Sequence, residues 1–407
     1  MPKRSPHRAS GTGTYPARPW AMAITLGAAL SGCVTMNPTV VDPASFLGER
    51  AVPRELYTPG APPSLLPVMD IRVEPMDRLM LVGFADDPVY AAVELQVFSG
   101  DDGGETARVL LERADTVDVY DSPGRTADES DRRTLEALFA PKAVTLQEAS
   151  IEYRLRVTRH GLDTALRMRD REAREIDLEV LETRDEPRFG ALIAPVGATS
   201  DRPDFLPVFF LDEFAFVRRR GADIRIEIDG QPRSPETLTR LVRGPASYFT
   251  RYSTRVVLAH WNERREANLQ PVSLDPGAQV VEAGGLEWHM VWNAGHPEAR
   301  AAVARSGEDA VTFVFSPALP DLAALRPGAR LEGRFVVNVN DVPGVVAGEY
   351  SVVRQEEEVR LVFQPLRGWQ PPMAGPPWVS TYRYEAVIDL RGGRARLESS
   401  WTRRDGG

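Results

Sequence analysis

Few residues in this chain have the type and spacing that chemistry requires. Four histidines follow His7: His160, His260, His289 and His296. The last three cluster in sequence with Glu287 and Glu298 nearby, a composition from which a zinc site can be built. None of the histidines pairs with another at the i, i+4 spacing of a helix face or the i, i+2 spacing of a strand face, so no metal ligand is assigned. In Trp288-His289-Met290-Val291-Trp292, strand alternation turns His289 away from the two tryptophans, which then share a core face with Met290. No G-x-x-x-x-G-K, H-E-x-x-H or G-x-S-x-G motif occurs. A Ser-x-x-Lys nucleophile fails because Phe139 stands three residues before Lys142, the only lysine after Lys3. A glycoside hydrolase needs two carboxylates facing each other across a cleft. The 58 acidic residues hide any such pair, so no catalytic residue and no cofactor is assigned.

The aromatic residues offer more. Trp369 and Trp378 bound Gly368-Trp369-Gln370-Pro371-Pro372-Met373-Ala374-Gly375-Pro376-Pro377-Trp378, a stretch whose prolines stiffen it. The two rings either stack on a sugar or a partner's apolar patch, or fold back and plug one end of a β domain. They are the candidate binding residues. Arg218-Arg219-Arg220 and Gln355-Glu356-Glu357-Glu358 read as hairpin tips whose charges discourage edge pairing; the arginines alternatively form an anion site.

Near the start, Leu30-Ser31-Gly32-Cys33 closes an apolar run, Trp20 to Leu30, that follows Lys3, Arg4, Arg8 and Arg18 with no acidic residue between. A positive n-region, a short apolar h-region and small residues at the cut make a secretory signal, and the run is well short of the ~20 residues that span a bilayer. Leu-Ser-Gly-Cys resembles the lipobox of bacterial lipoproteins. The resemblance implies that Cys33, the only cysteine, is diacylated on sulfur and becomes the first residue after removal of 1–32. It further implies the outer membrane as destination, because Val34 is not the aspartate that retains such proteins at the inner membrane. A protein so anchored is held by its acyl chains and does not span the membrane.

Loss of those four cations moves the formal net charge from −9 to −13, which argues against nucleic acid as a partner. Residues 33–67 contain Pro38, Pro43, Pro53, Pro59, Pro62, Pro63 and Pro67 and read as a disordered tether, with a reach of roughly 100 Å if extended. From Met69 onward apolar residues step by two, as in Val93, Leu95, Val97 and in Ile176, Leu178, Val180. The fold expected is mainly β: two antiparallel sandwich-like or barrel-like domains, 68–265 and 279–407, with a boundary in the polar stretch 263–278 and a single large β fold as the alternative. Short helices are expected at Arg132 to Ala140, from Ser234-Pro235-Glu236, and at Pro297 to Arg305. Arg391-Gly392-Gly393 is expected as a hairpin turn.

The function expected is that of a membrane-anchored envelope lipoprotein on the outer membrane, facing the periplasm, which acts as a binding or assembly subunit with an envelope protein or glycan as partner. The alternatives are an envelope hydrolase acting on glycan or ester bonds, and a carbohydrate-binding module using Trp369 and Trp378.

Overall fold

Most strands alternate apolar and polar residues, but Leu206-Pro207-Val208-Phe209-Phe210-Leu211 is apolar at every position and determines how the sheets stack. In the strand Leu206–Asp212 this whole run is buried, so both faces must be covered. The computed structural model describes residues 42–100, 104–125, 127–183, 191–195, 202–212, 214–237, 247–340, 345–368 and 378–403, with backbone only at 75, 130, 191–195, 378 and 379.

Among the described residues a two-stranded pair and four larger sheets form, and of the larger ones the seven- and four-stranded meet end to end, Ile71–Met76 running into Arg78–Gly83 and Ser247–Ser253 into Arg255–Trp261. The first has five strands, in the order Gln231–Pro232, Ala222–Ile228, Glu175–Glu182, Gly161–Arg169, Ile151–Thr158. The second has seven: Ala215–Arg218, Ser247–Ser253, Arg78–Gly83, Ala92–Ser99, Glu105–Glu112, Thr116–Asp121, Ala143–Glu148. The third has four: Ala191–Pro195, Leu206–Asp212, Arg255–Trp261, Ile71–Met76. The last has ten, running from the edge strand Arg265–Leu269 through Ala395–Arg403 and then back along the chain to Val280–Ala283. Pairing is antiparallel apart from Thr116–Asp121 with Ala143–Glu148, a parallel pair joined by the helix Glu129–Phe139 as parallel strands require.

The cores follow from strand alternation. Leu95, Val97, Val109 and Leu111 of the seven-stranded sheet meet Leu166, Ile176, Leu178 and Ile226 of the five-stranded sheet. The other face of the seven-stranded sheet carries Leu110, Val117 and Val119, which the helix covers with Leu135. Beside the helix, Leu79 and Phe216 meet Phe209, Leu211, Val256 and Leu258 of the four-stranded sheet. The alternate residues of those strands, Val208, Phe210, Val257, Ala259 and Trp261, face the ten-stranded sheet. Trp261 is the keystone there, with Phe313, Phe335 and Trp401 at centroid distances of 5.0, 5.3 and 5.0 Å.

The mainly β, sandwich-like class is as the alternation predicts, but four details differ. The expected boundary at 263–278 is part of the sheets: Arg265–Leu269 pairs with Ala395–Arg403, and Val272–Ser273 pairs with Ser64–Leu65. Strands drawn from within 68–265 complete the core of the C-terminal sheet, so the division at that point is corrected. Pro297 to Arg305 is not a helix but lies within the strand His296–Ser306. There Ala302 sits between Trp288 and Phe313 in register. Ser234-Pro235-Glu236 opens no helix over the described residues; Pro235 and Thr237 instead bridge to Phe84 and Tyr248. Lastly, the expected tether is anchored on the body by half-buried Phe46 and Leu47 and by buried Val52, Tyr57, Leu65 and Leu66, while residues 33–41 lie outside the described residues.

Candidate functional site

The proline-rich segment is a strap drawn across the ten-stranded sheet. Asp42 caps the short helix Pro43–Leu47, its Oδ2 accepting the Ser45 N–H at 3.1 Å. Phe46 and Leu47 rest on Val336, Val345 and Ala347, which project from the sheet's outer face. The guanidinium groups of Arg334 and Arg367 lie 5.4 and 5.7 Å from the Phe46 ring centroid. Arg334 Nη1 also donates to the Phe46 carbonyl at 3.0 Å. Farther along, Ser316 Oγ donates to the Gly48 carbonyl and Asn293 Nδ2 to the Val52 carbonyl, each at 2.8 Å. Tyr57 then turns inward and the chain enters the core with Leu65, Leu66 and Val68.

A buried polar clasp fixes that turn. The Tyr57 ring stacks on His296 at 4.3 Å, and its hydroxyl donates to Glu298 Oε1 at 2.8 Å. Asn293 Nδ2 donates to the same oxygen at 2.8 Å. His296 Nδ1 lies 3.7 Å from Asp321 Oδ2, which accepts the Ser64 N–H at 3.1 Å. His296, Glu298 and Asp321 are all buried. Burial raises the pKa of both carboxyl groups, more than the hydrogen bonds they accept can lower it. Burial and the neighbouring Glu298 push the Tyr57 phenol far above its usual range. Two acids of raised pKa beside an imidazole are the parts of an acid–base site. Here Tyr57 covers them, and their hydrogen bonds hold the strap.

Other charged clusters are similarly engaged. Between helix and four-stranded sheet, buried His260 stacks on Phe205 at 4.2 Å and its Nδ1 accepts from Arg72 Nε at 3.2 Å. That places the ring proton on Nε2, 3.5 Å from Glu74 Oε2. Burial raises the Glu74 pKa, but His260 and the arginines Arg72 and Arg108 outweigh it and the net shift is downward. Arg251, buried between layers, has its pKa lowered to about 10 by burial, with Glu94, Glu112 and Glu236 opposing the fall. Burial raises Glu94 and Glu236 as well. At the end of the five- and seven-stranded pair, Tyr90 donates to Asp170 and accepts from Arg113 and Arg174 at 3.1 and 2.8 Å. Glu172, bonded there by Arg113, falls to about 2.

The residues singled out from sequence fare unequally. Cys33 and Trp369 lie outside the described residues, and Trp378 opens the 3₁₀ turn Trp378–Thr381 with only its backbone described. Trp288 and Met290 are buried, as alternation predicts, while His289 is exposed and bonds Glu287 at 2.7 Å. Trp292 is half-buried, its Nε1 donating to the Ala278 carbonyl at 2.8 Å. Gln355-Glu356-Glu357-Glu358 does form a hairpin tip. Arg218-Arg219-Arg220 does not, because Ala215–Arg218 and Ala222–Ile228 belong to different sheets. Among the described residues no three of His, Cys, Asp and Glu converge as a metal-ligand set, and no helix is long and apolar enough to cross a membrane. Of the clasp, the sequence offers His296 and Glu298 only as parts of a zinc site, and Tyr57, Asn293 and Asp321 not at all. The clasp's signal is His296-Pro297-Glu298, two polar side chains on one strand face, hidden because proline before an alanine-rich run imitates a helix start.

Comparison with protein-family models, with curated proteins and with solved structures finds no match.

Proposed function

We propose that this chain is a membrane-anchored envelope lipoprotein that serves as a binding or assembly subunit, held by acyl chains on Cys33 at the outer membrane and facing the periplasm. The observation that carries the reading is the lipobox-like Leu30-Ser31-Gly32-Cys33 at the end of a basic and then apolar N-terminal run. A strap fixed by side-chain hydrogen bonds and buried aromatic packing is suited to transmit an anchor's position to the body. The same end of the ten-stranded sheet sends the strand Glu358–Arg367 toward residues 368–378, a stretch with two tryptophans and no charged residue. Interfacial tryptophans suit a headgroup layer as well as a protein partner. A non-enzymatic role is favoured over hydrolysis because Glu298 and Asp321, acids of raised pKa, are engaged by the strap.

The test is affinity capture of the full-length protein from cross-linked envelopes, with Cys33→Ala as unanchored control and mass spectrometry of the N-terminal peptide as readout of acylation. Expected are an acylated Cys33 peptide and a near-stoichiometric envelope partner that the control loses. An unmodified Cys33 peptide would remove the anchoring half of the reading, and turnover of envelope glycan or ester substrates by the partner-free protein would replace the other half.

A further inference from the structure

We propose that Arg251, Glu94 and Glu236 bind a small zwitterion, its carboxylate taken by the guanidinium and its ammonium by the two glutamates. The site lies on the seven-stranded sheet, on the face that the helix Glu129–Phe139 covers farther along. Arg251, Leu81 and Glu94 stand side by side on three neighbouring strands, and Leu110, against which the helix packs, continues the row. The next row holds Gly83, Ala92 and Glu112. Glu236 reaches over Gly83 from the segment that follows Gln231–Pro232, its N–H donating to the Gly83 carbonyl at 2.7 Å. A side chain at 83 would take the place of that carboxylate, since a Cβ there would stand 2.9 Å from Glu236 Oε2 and 3.0 Å from the Phe249 ring.

Opposite charges face one another here without touching. Arg251 is 6% exposed, its guanidinium lies 4.6 Å from the Phe249 ring centroid, and its Nη1 is buried with no hydrogen-bond partner. Glu236 Oε2 is buried and equally unpartnered. Of the glutamates whose charge acts on Arg251, Glu112 is held by Lys142 at 2.5 Å and Glu94 accepts from Gln96 Nε2 at 2.6 Å. No carboxylate among the described residues ion-pairs with Arg251. Burial raises the pKa of Glu94 and Glu236 and lowers that of Arg251, as it does for charges held without counterions. With Glu112 paired, one cation and two carboxylates remain. A simple anion would meet the glutamates, a simple cation would meet Arg251, and water brings no charge to either. A molecule with a carboxylate at one end and an ammonium at the other completes both, the guanidinium fork matching the carboxylate. Glu94 and Glu236 are half-buried, which gives the ligand a way in.

The test is thermal unfolding of the full-length protein with glycine, β-alanine, γ-aminobutyrate and glycylglycine, zwitterions of increasing charge separation, against acetate and methylammonium as their singly charged halves. At about 10 mM, at least one zwitterion should raise the melting temperature by about 2 °C or more, and neither half should. Arg251→Met, which removes a buried charge that has no partner, should fold with a ligand-free melting temperature at or above that of the native protein and should lose the response. Glu236→Gln should weaken binding of the same zwitterion at least about tenfold in calorimetric titration. The proposal is overturned if no zwitterion shifts the native protein, if acetate or methylammonium does as well, or if either variant responds undiminished. A marked fall in the melting temperature of ligand-free Arg251→Met would overturn it too, by showing that the guanidinium holds the fold and not a ligand.

Discussion

Glu298 is a carboxylate that the fold makes costly to ionise. Its folded pKa lies above the ordinary glutamate value of 4.5. The stabilisation it gives is therefore complete below that value and is lost as pH rises through the folded pKa. Asp321, raised by the same burial, adds in the same direction. Glu298→Gln keeps an oxygen to accept from Tyr57 and Asn293 but cannot ionise. Urea midpoints measured from pH 4 to 8 should fall with rising pH more steeply in the native protein than in the variant; parallel curves would show that Glu298 does not titrate in this window. Tyr57→Phe leaves the carboxylate short of a donor and should cost about 1–3 kcal/mol in the same assay. Gly348→Ala should cost at least as much, about 1–3 kcal/mol of overpacking, because a Cβ there would overlap the Gln364 carbonyl oxygen and the Phe335 ring. Glu298 enters the sequence reading only as a neighbour of the clustered histidines, and Tyr57 and Gly348 do not announce themselves at all. Tyr57 and Glu298 are 241 residues apart, and a glycine beside a register shift looks like any other until its neighbours are placed.

Among the elements, the strap was misread for a physical reason. Prolines at 53, 62 and 63 forbid regular structure, and the sequence shows no alternation there. Packing needs neither: the strap bonds through side chains, through the isolated bridge of Tyr57 to Leu325, and through the Thr58 N–H on the Ala324 carbonyl at 2.8 Å. Proline removes one backbone donor and fixes φ, which limits laddering in the strap but does not prevent packing. Strand His296–Ser306 is the reverse case, where alanine and arginine suggest helix but position inside a sheet decides. Helix Glu129–Phe139, by contrast, was legible as Arg132 to Ala140, short only of its first turn, where Asp128 caps it by accepting the Asp131 N–H at 2.7 Å. Phe46→Ala should loosen only the first turn of the strap. Trypsin should then cleave at Arg50 or Arg54 several-fold faster while the melting temperature moves by a few degrees at most. A large fall in melting temperature would mean that the strap's start is part of the global core.

At the scale of the molecule, the run Leu206 to Leu211 carried the architecture in plain view. An all-apolar strand signals two covered faces, but the sequence does not say which sheets cover it, and a boundary drawn in a polar stretch cut through the shared core. Because the four-stranded sheet serves both neighbours, calorimetry should give one unfolding transition. A fragment comprising 263–407 should be unfolded by circular dichroism and amide exchange, since it lacks Val208, Phe210, Val257 and Trp261. Two resolved transitions, or a folded fragment, would contradict this. The same sheet also bears on timing. Strand Ile71–Met76 has its hydrogen-bonding partner in Arg255–Trp261, whose last residue is synthesised about 190 residues after Ile71. At roughly 5–20 residues per second that is an interval of about 10–40 s. Throughout it Ile71, Val73 and the hydrophobic face of the strap have no core to join, so the nascent chain presents adhesive surface long before closure becomes possible. High contact order of this kind slows folding and favours holdase binding to the early segment.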